Sequence, residues 1–88
     1  MDMQVFRQKI DEIDKSLVEL FEKRMALSEE IAVFKKENNM PIYDQKREEQ
    51  KLSELSAMVS DDKKIYLKEL YSLIFTLSRS VQEKIINA

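Results

Sequence analysis

Apolar residues recur every three or four positions along most of this chain. The first series runs through Ile10, Ile13, Leu17, Leu20, Leu27, Ile31 and Phe34, the spacing of one face of an α-helix. Asp2 can accept from the first free amides and marks a helix start. Asn38 and Asn39 are the best candidates for a left-handed helix end in a chain without glycine. Pro41 biases Met40 towards extended backbone. A first helix is therefore predicted over about residues 2–38. Asp44 is the next N-cap candidate, and Leu52, Leu55 and Val59 set the stripe of a second helix over about 44–58. Ser60, Asp61 and Asp62 break it. A third helix is predicted over about 61–87, with Tyr66, Leu67, Leu70, Leu73, Ile74, Leu77, Val81 and Ile85 inward. The expectation is an all-α fold, three helices in one domain over residues 1–88, with no internal repeat or linker.

Length changes this picture. A helix of about 36 residues is about 54 Å long, whereas a compact domain of this size has a radius of gyration of about 12–13 Å. The rest of the chain cannot cover the first helix. Its apolar stripe calls for a second molecule, so an intertwined homodimer is expected. The alternative is an elongated monomer with a frayed helix end.

Polar residues interrupt each stripe. Arg24 and Lys35 are 11 residues apart, which places them about 20° apart around the helix and about 16 Å apart along it. Both face inward, on either side of Ser28 and Ile31. Arg24 could snorkel or fix a coiled-coil register, and Lys35 could complement the helix dipole. Glu48 heads the second stripe, with Arg47 beside it and Asp44 one turn earlier; an N-cap with surface charge is the ordinary reading. Ser78 and Gln82 form an i, i+4 pair on a flank of the third helix, where a serine commonly bonds back to a carbonyl. Arg79 and Glu83 are expected to point elsewhere. Together these groups have a shared logic. A buried unpaired charge costs several kcal/mol, so inward cations are best tolerated around an anion. A small dicarboxylate that also carries hydroxyl or ether oxygens would suit the set. Arg7 lies 17 residues before Arg24, about 25 Å away. If it binds the same guest, it must reach the partner subunit's pocket.

Composition narrows the chemistry. Hydrophobic residues make up 43% and charged residues 36% of the 88, the balance of a folded helical protein. With no Gly and one Pro, β-hairpins are not expected. The net charge of −2 is interspersed, with no basic stripe for nucleic acid and no polybasic cluster for a membrane surface. No apolar run approaches the roughly 20 residues of a span, and the N-terminus lacks a signal-peptide layout. The absence of Cys fits a cytoplasmic location. Without Cys or His there is no thiolate, no Ser–His pair and no usual zinc ligand. Any catalysis falls to carboxylates, amines, guanidiniums, amides and hydroxyls, which suits electrostatic stabilisation or simple acid–base work.

Four segments in order carry a resemblance. "FRQKIDEIDKSLVELFEKR" resembles the opening of the all-α, AroQ-class chorismate mutases: a hydrophobe–Arg pair, an I-D-x-I-D core and a closing Arg. "IAVFK" ends in the lysine of that pattern, "PIYDQKRE" is similar to its second-helix entry, and "SRSVQ" supplies its Ser and Gln. The resemblance spans about Phe6 to Gln82. It implies a three-helix protomer in an intertwined dimer that rearranges chorismate to prephenate on the Phe/Tyr branch of aromatic amino acid biosynthesis, without cofactor or metal. By the same resemblance, Arg24 and the partner's Arg7 would grip the two carboxylates. Lys35 would contact the ether oxygen and a carboxylate, and Gln82 would donate to that oxygen from the other side. Glu48 would accept from the ring hydroxyl, with the Asp44 backbone nearby. Arg47 would support the carboxylate end, Ser78 would bond a carboxylate and Ile31 would wall the ring. Tyr43 and Gln45 are left without a role. Two rivals stand: a same-fold lyase acting on isochorismate, which the D-x-x-R-E of Asp44–Glu48 disfavours, and a non-catalytic helical dimerisation module.

Overall fold

A computed structural model describes residues 2–88. Three helices follow in order: α1 (Met3–Glu37), α2 (Gln45–Ser56) and α3 (Lys64–Ile86), the last preceded by a single 3-10 turn over Asp61–Lys63. No strand occurs among the described residues. The fold is all-α, as expected.

Local chemistry sets the helix ends. Asp2 accepts from the Val5 amide at 3.1 Å, and Asp44 accepts from the Arg47 amide at 3.0 Å; each satisfies one otherwise orphaned donor. At the far end of α1 the Met40 amide reaches back to the Lys35 carbonyl at 2.9 Å. Asn39 between them has φ of 53°. This is a Schellman closure in which asparagine takes the left-handed place usually given to glycine. The third helix differs from expectation only in its first turn, which is 3-10 rather than α, a common tightening at helix starts.

α3 is the hub, since α1 and α2 each pack on it and not on each other. The α1–α3 seam is built from small and polar groups. Ser28 and Ala32 of α1 are buried against a face of α3 that buries Phe75, Ser78 and Gln82. Ala32 and Phe75 are the only buried apolar side chains among the described residues.

The hydrophobic stripes lie elsewhere. Ile10, Ile13, Leu17, Leu20, Leu27, Ile31 and Phe34 are 44–61% exposed. Tyr66, Leu70, Leu73 and Leu77, read as inward, are also exposed, whereas Leu67, Ile74, Val81 and Ile85 are half-buried. The reason is geometric: a 35-residue helix outruns its two shorter neighbours, so much of each stripe has nothing in the chain to meet. The molecule measures 55 × 27 × 14 Å and has a radius of gyration of 16.3 Å, against about 12 Å for a compact chain of this length. Its accessible surface is 7222 Å², about 1,800 Å² more than the roughly 5,400 Å² of a compact monomer of its mass.

Candidate active site

The polar residues that interrupt the stripes converge on one cleft of about 220 Å³ between the three helices. α1 contributes Arg24, Ser28, Ile31 and Lys35. The Schellman turn after α1 brings the chain back so that Ile42 and Asp44 form one rim. The first turns of α2 add Arg47, Glu48 and Lys51, and α3 adds Phe75, Ser78, Arg79 and Gln82. The structure therefore gathers eight of the nine residues expected at the site. Arg7 is not among them; it lies far up α1, beyond reach of its own cleft.

Two linked clusters organise the α1–α3 side. Arg24 Nη1 donates to Ser78 Oγ at 2.7 Å, and the Ser78 and Ser28 hydroxyls are paired at 2.9 Å. The Arg24 guanidinium also sits 5.8 Å from the Phe75 ring centre, within cation–π range. Further along, Lys35 Nζ donates to the Ile42 carbonyl at 2.7 Å and to Gln82 Oε1 at 3.1 Å. Gln82 is buried, and because its oxygen is the acceptor, its amide N–H groups are left to donate. Ser78 does not bond back along its own helix, contrary to the ordinary reading of a mid-helix serine.

Across the cleft the structure corrects one expectation. Arg79 does not point away: its Nη1 donates to both carboxylate oxygens of Glu48. The pair bridges α2 and α3, with side chains 27% and 23% exposed for Arg79 and Glu48 respectively. Nη2 reaches Thr76 Oγ1 at 3.4 Å, and the guanidinium lies 4.8 Å from the Tyr43 ring centre. The hydrogen bonds it donates to Glu48 hold the Arg79 guanidinium above its usual pKa, against an opposing push from burial. Periodicity missed Arg79 because it reports where Cβ points, not where a long side chain ends. The available signal was Glu48 itself, a lone carboxylate at the head of a half-buried stripe and in need of a cation.

The lining carries five cations (Arg24, Lys35, Arg47, Lys51 and Arg79) against two carboxylates (Asp44 and Glu48), a surplus of three positive charges. Asp44 is engaged as a helix cap, Glu48 by Arg79 and Lys51 by Glu54, so among the described residues Arg24, Lys35 and Arg47 are the lining cations with no carboxylate of their own. At 4 Å and an effective dielectric constant of about 20, a unit charge pair is worth about 4 kcal/mol. A small anion with hydrogen-bonding oxygens would meet complementary charge and donors in this cleft.

Among the described residues the chain is an all-α protomer with a cation-rich cleft lined by three helices. Within that architecture the assignment is specific: residues 6–83 match the chorismate mutase type II family, and the chain belongs to it. Among curated proteins it is 36% identical over 88 residues to a bifunctional chorismate mutase/prephenate dehydratase of Buchnera aphidicola subsp. Schizaphis graminum, covering 98% of this chain and 23% of that protein. It is 37% identical over 81 residues to the protein of the same description from Buchnera aphidicola subsp. Baizongia pistaciae, covering 90% of this chain and 22% of that protein. The chain spans less than a quarter of these relatives' length. No solved structure matches it significantly.

Proposed function

We propose that the chain is a chorismate mutase, an isomerase of the cytoplasm that rearranges chorismate to prephenate on the Phe/Tyr branch of aromatic amino acid biosynthesis. Support comes from family membership and, above all, from one observation. The Lys35 ammonium and the Gln82 amide, carried by different helices, are joined at 3.1 Å at the wall of a cleft that also holds Arg24 and Glu48.

The reaction moves no atom in or out. The ether C–O bond breaks as a C–C bond forms in the same molecule, and negative charge grows on the ether oxygen. Lys35 and Gln82 would donate to that oxygen from two sides. Arg24, Ser78 and Arg47 would hold the carboxylates and thereby the compact conformer; Glu48 would accept from the ring hydroxyl beside Asp44, and Ile31 would press on the ring. Each preorganised donor is worth about 2.7–4 kcal/mol. Two donors plus the entropy saved by holding the conformer reach the roughly 8 kcal/mol at which enzymatic acceleration begins.

The working unit in this proposal is a homodimer in which the partner's Arg7 completes each cleft. Two observations support it. The cleft falls below the roughly 300–1,000 Å³ of pockets that enclose a drug-sized ligand, leaving room for a missing wall. The surplus surface, about 1,800 Å² per protomer, would give an interface of the obligate size class. No helix of the described residues is long and apolar enough to cross a membrane. The test is the loss of chorismate absorbance on adding purified protein. Turnover to prephenate is expected. Pyruvate release from isochorismate without action on chorismate would replace this reading with the lyase; inactivity on both would leave the dimerisation module.

A further inference from the structure

Glu48 poses a problem for an anion site. It is a carboxylate on the first turn of α2, in the same cleft as Arg24, Lys35, Arg47 and Lys51. A glutamate side chain is long and flexible, and left free it would swing onto those cations and fill the seat of the incoming dianion. Arg79 prevents this. One guanidinium nitrogen takes both Glu48 oxygens, and a carboxylate offers about four lone-pair sites, so two remain for another donor. The guanidinium is itself fixed from two further sides, by the Tyr43 ring at 4.8 Å and the Thr76 hydroxyl at 3.4 Å. A second hollow, lined in part by Tyr43, Leu52, Ser72 and Thr76, lies on the far side of the pair, so the Glu48–Arg79 bridge forms a partition rather than part of a packed core.

Resting on the mutase reading above, we propose that Arg79 is a positioning residue. It holds the Glu48 carboxylate against α3, away from the substrate-binding cations, and turns its unused lone pairs towards the substrate hydroxyl. Tyr43, through the stacked guanidinium, steadies the same arrangement.

The role predicts a pattern of non-additivity. Arg79→Met frees Glu48 to compete with substrate, so KM should rise about tenfold or more, the scale of leaving a partly buried charge without its partner, while kcat falls less. In a Glu48→Gln background the internal competitor is already gone, and adding Arg79→Met should change KM less than twofold. A role of Arg79 that does not pass through Glu48 gives the same loss in both backgrounds, because effects of uncoupled residues add. Arg79→Lys keeps a cation in place and should recover most of the KM. Side-chain ¹⁵N NMR supplies a reading independent of turnover and of the folding of Arg79 variants. Slow guanidinium rotation, giving resolved Arg79 Nη signals, is expected in the wild-type protein and should be lost in Glu48→Gln. Additive losses in an active enzyme, or Nη signals indifferent to Glu48→Gln, overturn the positioning role alone. Wild-type protein that leaves chorismate untouched overturns the mutase reading and this one with it.

Discussion

Arg24→Leu separates the enzyme from a dimerisation module, because the structure predicts opposite sizes for its two effects. The folding cost should be small. Arg24 donates to Ser78, but Ser78 is also paired with Ser28, so removing the guanidinium orphans no buried hydroxyl. What is lost is one charge-assisted bond, about 1.5–3 kcal/mol, and a cation–π contact of about 0.5–1 kcal/mol. The leucine regains much of this by burying apolar surface on Phe75 at about 25 cal/mol per Å². A net change near 1 kcal/mol moves the melting temperature by roughly 4–8 °C. The functional cost should be large. A substrate carboxylate left without its partner costs about 2–5 kcal/mol, which is about 30- to 4,000-fold in kcat/KM at 1.4 kcal/mol per decade. The assay is chorismate consumption beside a melting curve and a sedimentation measurement. A folded dimer retaining kcat/KM within threefold of wild type would rule out Arg24 as a carboxylate anchor.

Other outcomes follow from the same geometry. Mixing inactive Arg7→Met and Arg24→Leu proteins, with subunit exchange, should restore about a quarter of wild-type activity, since half the dimers become mixed and each then carries one intact cleft; mixtures that stay inactive count against a shared site. Leu17→Glu places a charge in the middle of the exposed stripe and should abolish dimerisation, and the wild-type melting temperature should rise with protein concentration; a concentration-independent value would favour a stable monomer. Lys35→Met should be costly twice over: it leaves the buried Gln82 oxygen unpaired, about 1–3 kcal/mol of stability, and, in the proposed reaction, removes a transition-state donor, about 100- to 1,000-fold in kcat. The rate should stay flat between about pH 6 and 8, because Gln82 donates without titrating. Arg79, raised above its ordinary pKa by Glu48, contributes fully below that ordinary value and loses its contribution only as pH rises past the folded one, far outside this range. A steep loss across neutrality would contradict both points.

Much of the fold was legible because its signals are local. Asp2, Asp44 and the Asn38–Pro41 stretch declare helix ends through caps and a left-handed turn that involve only near neighbours. The packing was less legible. Leu20, Leu27 and Ile31 mark a helix to be covered, yet within the chain they face outward, and the seam with α3 runs along Ser28 and Ala32. A hydrophobic pattern states how much surface must leave water, not which neighbour removes it. The site showed the same division. Arg24, Lys35, Ser78 and Gln82 stood out as polar residues at or beside inward stripes, and the structure brings them together. Arg79 did not stand out, since its reach to Glu48 crosses from one helix to another 31 residues away, and no period within one helix encodes that.

Lys35 carries a consequence of its own. An ammonium has three protons, and here the Ile42 carbonyl and the Gln82 oxygen engage two of them. The third is unclaimed, so an arriving oxygen can be met without breaking the tie that closes the 38–44 loop. Occupancy should therefore tighten this loop little, and its susceptibility to proteases should be nearly the same in the empty and the loaded protein.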